Sequence, residues 1–311
     1  MSKANTHLET VQAKLIEQME TVGSDWIKPW INAGIATNAS TEKAYRGINL
    51  FHLGMTCSEF GYEHNEWMTF KQAEAKGFKI ISNKDMPDGK STSQIIIFYK
   101  PMPKSKKYYT PSDNANFSNG KIPMIPMLKS YRVFNACQID GYTPKAKAKL
   151  ANHVNDLSKS KTKEIDLFFA NTKANIKITG DVACYVPSID EIRMPSKDSF
   201  FTAVDFYSTQ AHESTHWTGS KTRLNRLKAN AKFGSASYAF EELVAEIGST
   251  FLCAKLGIEA QPREDHAKYL NSWIKVLKND SKALYRAFSQ AQKAVDFLDN
   301  LQEEVKLSKV A

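Results

Sequence analysis

Two histidines at helical spacing are the residues of this sequence best suited to chemistry. Residues 209–219 read TQAHESTHWTG, with His212 and His216 four positions apart and Glu213 directly after the first. On a helix this spacing places both imidazoles on one face, where they can bind a single metal ion. A glutamate between two such ligands can act as general base in a metal-assisted hydrolysis. The pattern therefore predicts a zinc site, with manganese as the alternative metal and Glu213 as the catalytic residue.

A second acidic helix offers a third ligand. Catalytic zinc usually takes three protein ligands, and Glu242 and Glu246 stand four apart in an apolar helix predicted over residues 238–257. Buried carboxylates are costly without partners. We favour Glu242 as the ligand and Glu246 as the acceptor of a hydrogen bond from a ligand histidine. The alternatives are Glu246 as the ligand, or a solvated face formed by Glu241, Glu242 and Glu246 that needs no metal.

The elements around the motif are predicted to hold it in place. Apolar residues at helical spacing continue upstream of His212, so the motif lies on a helix over 201–219 that Gly219 ends. The segment ACYVPSIDEIRMP (183–195) precedes this helix and predicts a hairpin or edge strand. An edge strand beside a zinc site can pair with an extended peptide. The order of strand, motif helix and glutamate helix is typical of zincin metallopeptidases.

The basic charge of the chain is concentrated in its first half. Residues 1–165 contain 23 Lys and Arg against 15 Asp and Glu, whereas residues 166–311 contain 19 against 18. The nearly neutral half carries the metal motif, so the difference in charge predicts two functions.

Aromatic and cationic residues alternate at short range in the basic half. Such clusters occur at 26–30, 43–49, 65–71, 104–109 and 129–134. Single-stranded nucleic acid is bound in this way, with cations on phosphates and aromatic rings under bases. The predicted contacts are Trp26, Lys28, Trp30, Tyr45, Arg46, Asn49, Trp67, Lys104, Lys106, Lys107 and Arg132. The alternative is that the tryptophans are core residues and the lysines an ordinary solvated surface.

The remaining elements indicate an α+β protein of two domains. Helices are predicted over 6–22, 48–60 and 69–77, with strands over 93–101 and 130–142 and a long loop over 101–126. A lysine-rich linker over 151–163 separates a basic domain (1–150) from a metallopeptidase domain (164–311), which ends in amphipathic helices. No run of 18 apolar residues is present and the four cysteines form no CxxC pair, which favours a cytoplasmic protein without a membrane partner.

Seven segments in this order resemble the ArdC-type antirestriction proteins, which are similar in turn to plasmid transfer primase C proteins. These segments are DWIKPW, KAYRGINLFHL, NEWMTFKQAEAKG, YRVFNACQI, GDVACYVPSIDEIRMP, QAHESTHWTG and FEELVAEIGSTFL. The resemblance implies a mixed α/β N-terminal domain that binds single-stranded DNA and a C-terminal zincin-like metallopeptidase domain. It implies that His212, His216 and an acidic residue of FEELVAE bind the metal, with Glu213 as the catalytic glutamate.

Such proteins are carried by conjugative plasmids and phages and protect incoming DNA from host restriction. The resemblance therefore implies an antirestriction protein that binds single-stranded DNA without strong sequence preference. Two further hypotheses remain open. The chain could be a metalloprotease that cleaves a host restriction protein and uses DNA only for localisation. It could also be a peptidase with no nucleic-acid role.

Overall fold

The computed structural model describes residues 3–27, 34–81, 86, 93–118, 120, 122–145, 157–227, 234–258 and 266–308. The described part of the first half contains four helices and six strands. The helices are α1 (Lys3–Val22), α2 (Ile48–Glu59), α3 (Phe70–Ala75) and α4 (Pro111–Ser118). The strands are β1 (Thr37–Asn38), β2 (Glu66–Thr69), β3 (Lys79–Ile80), β4 (Gln94–Pro103), β5 (Met124–Asn135) and β6 (Ile139–Asp140).

The main sheet of the first half has the strand order β1-β2-β5-β4. Strand β2 pairs with only the last three residues of β5, from Thr69↔Val133 to Trp67↔Asn135. In contrast, β4 pairs with β5 along its whole length, from Gln94↔Val133 to Pro103↔Met124. The two strands therefore extend beyond the sheet as an antiparallel pair, which we call the ribbon (residues 94–103 and 124–133).

The ribbon corrects the prediction of a long loop over residues 101–126. Strand β4 continues through two prolines, and Pro101 lies opposite Pro126 in the ladder. Proline has no backbone N–H, but a strand at a sheet edge does not need that donor for a neighbour. Helix α4 fills much of the connection between the two strands. The cluster of prolines therefore marked strands with a free edge.

The second half is mostly helical. Its helices are α5 (Lys159–Asn171), α6 (Ala203–Thr218), α7 (Ala236–Leu256), α8 (His266–Asn279) and α9 (Ala283–Ser308). Strands β7 (Asn175–Ile178), β8 (Cys184–Val186) and β9 (Glu191–Met194) form a sheet of order β7-β9-β8, with β8 at the edge. The predicted α+β class, the motif helix and the hairpin before it are confirmed.

The two halves share one hydrophobic core. Leu8, Val11 and Leu15 of α1 are buried in the same cluster as Trp273 of α8 and Phe288 of α9. This packing agrees with the periodicity of α1, whose apolar residues recur every three or four positions.

Hydrogen bonds from a buried glutamine reinforce the contact between the halves. The Gln12 side-chain amide donates to the carbonyls of Leu277 (2.7 Å) and Asp280 (3.0 Å), and its oxygen accepts from the Leu284 amide at 3.2 Å. The predicted linker is shorter than expected because α5 begins at Lys159, so residues 159–163 are helical. Within the described residues, no helix combines the length and apolar composition needed to cross a membrane.

Candidate metal centre

The motif helix α6 begins at a reciprocal cap and brings the two histidines together. The Asp205 amide donates to Oγ1 of Thr202 at 3.1 Å, and the Thr202 amide donates to the Asp205 carboxylate at 2.9 Å. This capping box fixes the first turn of the helix. Two turns later, Nε2 of His212 and Nε2 of His216 lie 3.2 Å apart. Both imidazoles therefore face one point, as their spacing predicts.

Helix α7 places Glu242 against the two histidines. One carboxylate oxygen of Glu242 is 3.5 Å from Nε2 of His212, and the other is 3.5 Å from Nε2 of His216. The three residues are buried, and each offers one ligand atom within 4.8 Å of the others. Ligands about 2.0–2.1 Å from a tetrahedral zinc lie roughly 3.3 Å from one another. Two imidazoles and a carboxylate at these separations fit a divalent metal ion.

A close approach of helices α6 and α7 sets this geometry. A Cβ added at Gly248 would meet Cγ2 of Thr215 at 2.6 Å and its Oγ1 at 2.9 Å. Beside this contact, the Ser249 hydroxyl donates to the Ser208 carbonyl at 2.9 Å. Only glycine lets the two helices approach so closely, and this brings Glu242 within reach of the motif.

Each ligand histidine has a carboxylate on its far side. Nδ1 of His212 lies 3.5 Å from Glu246, the residue predicted to accept a hydrogen bond from a ligand histidine, but this nitrogen makes no hydrogen bond in the structure. Nδ1 of His216 lies 3.1 Å from Glu241, a residue that the sequence only assigned to a possible solvated face. A carboxylate in this position orients the ring and fixes which nitrogen carries the proton.

Glu241 is itself held by a buried arginine. Nε of Arg226 donates to Oε2 of Glu241 at 2.8 Å, and the terminal nitrogen Nη2 donates to Oε1 at 2.9 Å. Arg226 also bonds the Thr215 carbonyl at 2.7 Å, so it connects the segment after α6 to both helices. Sequence reasoning missed Arg226, since it lies outside the motif and no spacing connects it with Glu241. Gly219 makes room for it, because a Cβ there would meet Nη2 of Arg226 at 2.9 Å.

The charges of the site favour a bound cation. Burial alone would lower the pKa of His216, but the Glu242 and Glu241 carboxylates raise it to about 10. Burial would raise the pKa of Glu242, yet His216 and His212 hold it below its ordinary value. The buried carboxylates thus make the site favourable for positive charge. A divalent ion supplies the same compensation for the buried carboxylates.

Glu213 is placed by the edge strand β8. The backbone N–H of Tyr185 donates to Oε2 of Glu213 at 2.8 Å. The Tyr185 hydroxyl donates to Asp190 at 2.8 Å, and Arg223 binds Asp190 through both terminal nitrogens. The guanidinium of Arg223 also lies 4.0 Å from the Trp217 ring centre. The segment after the motif helix thereby fixes the hairpin that contacts Glu213, which gives Asp190 a positioning role that the sequence did not assign.

The three candidate ligands open onto a cleft of about 1680 Å³. Cys184 and Tyr185 of the edge strand line one side, and Tyr238 and Tyr269 line another. His212, Glu213 and His216 also face this cleft, so an extended chain lying along β8 would pass the histidines and Glu213. The arrangement can therefore support metal-assisted hydrolysis of a bound peptide.

The predicted nucleic-acid contacts are dispersed. Trp26 and Trp67 are fully buried, and Trp26 packs edge-on against Phe51 and Trp273. A base cannot stack on a ring without an exposed face, so both tryptophans are core residues. The alternation of aromatic and basic residues was misleading here because core rings in short elements show the same pattern. Lys28 and Trp30 lie outside the described residues.

Three further predicted contacts are engaged within the protein. The Asn49 amide bonds both the carbonyl (2.7 Å) and the N–H (2.8 Å) of Ile97, at the free edge of β4. Burial raises the pKa of Tyr45 to about 12, and its hydroxyl accepts from Asn38 at 3.1 Å. Arg46 is exposed but pairs with Asp296 of α9. The other predicted cations lie on the ribbon or at its tip, and they are Lys104, Lys106, Lys107 and Arg132.

Two family models match the chain. Residues 5–134 match the N-terminal domain of anti-restriction factor ArdC. Residues 163–290 match a zincin-like metallopeptidase, and this range contains the whole candidate metal centre.

Relatives and solved structures resemble the chain over nearly all of its length. An uncharacterized protein, y4eC of Sinorhizobium fredii, is 30% identical over 97% of this chain and 94% of its own. DNA primase TraC of Escherichia coli is 35% identical over 93% of this chain, which spans only 27% of that primase. The metal-free crystal structure of antirestriction protein ArdC from plasmid R388 is 34% identical, covers 96% of this chain and 98% of its own, and superposes with a TM-score of 0.74. A Mn(II)-bound structure of the same protein also has a TM-score of 0.74, with 94% and 97% coverage.

Proposed function

Because the chain belongs to the ArdC family of antirestriction proteins, we propose that it binds single-stranded DNA and protects incoming plasmid DNA from host restriction. Binding without strong sequence preference in the cytoplasm would coat the entering strand. The observation that carries the proposal is the likeness to R388 ArdC over nearly the whole of both chains. The excess of positive charge in the first half supports it, since cations contribute most of the sequence-independent affinity for DNA.

We also propose that His212, His216 and Glu242 bind one divalent metal ion. Two imidazole nitrogens and one carboxylate oxygen suit zinc, and manganese is the alternative because a relative binds Mn(II). When bound, such an ion supplies Lewis-acid chemistry, which polarises a carbonyl group and favours deprotonation of water. Glu246 and Glu241 orient the two imidazoles, and the Glu213 carboxylate can accept a proton at Oε1 while Oε2 accepts from Tyr185.

A second candidate function is proteolysis of a host restriction protein. The observation that favours it is the position of Glu213, whose carboxylate is held beside two candidate metal ligands in an open cleft. A metal site with a purely structural role does not need such a carboxylate. In this case DNA binding would only localise the enzyme.

The substitution Glu213→Gln separates the two functions. Glutamine keeps the size and the acceptor oxygen for Tyr185 but cannot take up a proton. If the function depends on DNA coating, the Glu213→Gln variant should protect plasmid transfer into a restricting host as well as the wild-type protein does. A complete loss of protection, with unchanged metal content and thermal stability, would favour the metallopeptidase. His212→Ala is the control that shows whether the metal itself is needed for folding.

A further inference from the structure

The ribbon exposes one face beyond the main sheet. Side chains alternate between the two faces of a strand, so the register places Phe98 and Lys129 opposite each other on one face. Tyr131 lies on the same face, diagonal to Phe98. Phe98 is 58% exposed and Tyr131 46%. On the other face, Ile97 is buried in the shared core and Leu128 packs against it, whereas Ser130 and Arg132 are exposed. Ile96 lies on the same face as Phe98, nearer the sheet, and is buried.

The ribbon and its tip are strongly basic. Residues 93–135 contain seven Lys and Arg and a single acidic residue, Asp113. That carboxylate accepts a hydrogen bond from Lys104 at 2.5 Å, so it neutralises one lysine. At the tip, the Lys107 ammonium lies 4.7 Å from the centre of the Tyr108 ring, which is 63% exposed.

Exposed aromatic rings are concentrated on this surface. Among the aromatic side chains of the first half whose burial is described, four are exposed, and three of them are Phe98, Tyr108 and Tyr131. The fourth, Phe70, begins helix α3 and lies outside the ribbon. Exposed rings beside lysines are a stacking platform for bases whose phosphates pair with the cations.

We propose that single-stranded DNA binds on the outer face of the ribbon, with bases stacked on Phe98 and Tyr131 and phosphates paired with Lys129. The tip, with Lys107 and Tyr108, extends the path. Diagonal neighbours on a ladder are about 7–8 Å apart, which leaves each ring a separate base. Paired bases in a duplex offer no free face to stack on, so the surface selects single strands. This inference rests on the proposed function and gives its DNA a location.

The test measures binding of a fluorescent oligothymidylate by anisotropy, using the full chain. Loss of one stacked base lowers affinity about 5- to 140-fold, and we expect this for both Phe98→Ala and Tyr131→Ala. Tyr131→Phe keeps the ring and should bind as wild type does. Lys129→Gln should reduce the slope of log affinity against log salt by about 0.7.

Two matched controls lie off the proposed surface. Phe70→Ala removes an equally exposed ring, and Arg132→Gln removes a cation from the opposite face, where Arg132 donates to the Ser93 hydroxyl at 2.7 Å. Both should leave affinity unchanged. Thermal unfolding of each variant should match wild type, because every substituted side chain is exposed.

The outcomes show separately whether the proposed binding surface is wrong and whether the proposed function is wrong. If the wild-type protein binds the oligonucleotide and the Phe98 and Tyr131 variants bind equally well, the surface is wrong although the function stands. If the wild-type protein fails to bind at low salt, both are wrong. Ile122 and Met124 near the tip are exposed apolar residues, so a membrane surface is the competing ligand. Vesicles that contain anionic phospholipid serve as its probe. The proposal is overturned if the Phe98 and Tyr131 substitutions abolish vesicle binding and leave oligonucleotide affinity intact.

Discussion

A methyl group added at Gly248 should destabilise the protein, although helix propensity alone favours it. Gly248 lies inside α7, where replacing glycine by alanine ordinarily stabilises a helix by about 0.8–1 kcal/mol. Here the new Cβ would lie 2.6 Å from Cγ2 of Thr215 on α6. Carbon atoms pack best at about 3.5–4.0 Å, so one helix must move by roughly 1 Å.

The clash should outweigh the gain in propensity. Thr215 has no exposed surface, and its hydroxyl bonds the Ala211 carbonyl at 2.9 Å, so its side chain cannot simply rotate away. Overpacking a core costs about 1–3 kcal/mol, which leaves a net loss of up to about 2 kcal/mol after the propensity gain. Because a shift of α7 also moves Glu242, we expect zinc affinity to fall at least about tenfold, since metal sites tolerate errors of only about 0.5 Å.

Chemical denaturation in urea and zinc competition with a chelating dye measure the two effects. The variant Gly248→Ala is compared with Thr215→Ala and with the double variant in a thermodynamic cycle. Removing Thr215 Cγ2 and Oγ1 makes room for the new methyl group, so the double variant should be more stable than the sum of the single losses by about 1 kcal/mol or more. The reasoning fails if Gly248→Ala stabilises the protein, or if the two substitutions are additive.

Three other predictions follow from the same contacts. Glu241→Gln should weaken zinc binding about 10- to 100-fold, measured by dye competition, whereas Glu164→Gln in the exposed pair with Lys161 should not; equal affinities would remove Glu241 from the site. Gln12→Ala should lower the free energy of unfolding by about 2–4 kcal/mol, because it leaves buried backbone groups unpaired, and an effect as small as that of the exposed control Lys14→Ala would contradict this role. Zinc at 100 times its dissociation constant should stabilise the wild-type protein by about 2.7 kcal/mol in differential scanning calorimetry; the same stabilisation of His212→Ala would place the metal elsewhere.

The proximity of the two histidines could be predicted because it depends only on local helical spacing. The spacing of His212 and His216 needs only a helix to bring the rings together, and the apolar surroundings of Glu242 indicate that its carboxylate is buried. The contacts of Glu241, in contrast, depend on tertiary packing. Arg226 reaches Glu241 from a segment after α6 whose path is set by tertiary packing, and no periodicity encodes it.

In the first half, two residues were wrongly assigned to the DNA-binding surface. Trp26 and Trp67 were assigned to DNA because they alternate with charged residues, yet both complete the packing of short elements. Phe98 carries no such signal, since it lies in the apolar run SQIIIFYKP, where a buried strand is predicted. Ile96, two residues earlier on the same face, is buried in a cluster with Leu53 and Trp67, and the ribbon carries Phe98 beyond that cluster. The alternation of aromatic and basic residues therefore did not distinguish buried rings from exposed ones.

The shared core determines how the two functions can be separated experimentally. Helix α1 belongs to the basic half by sequence, but it packs against α8 of the other half, and Leu8, Val11 and Leu15 are buried in the same core cluster as residues of α8 and α9. A fragment ending near residue 150 would expose that apolar face and lose the Gln12 contacts, so its failure to bind DNA would report misfolding. Point substitutions on the outer face of the ribbon and at Glu213 leave the core intact. They are therefore the changes that can assign antirestriction to DNA binding or to the metal centre.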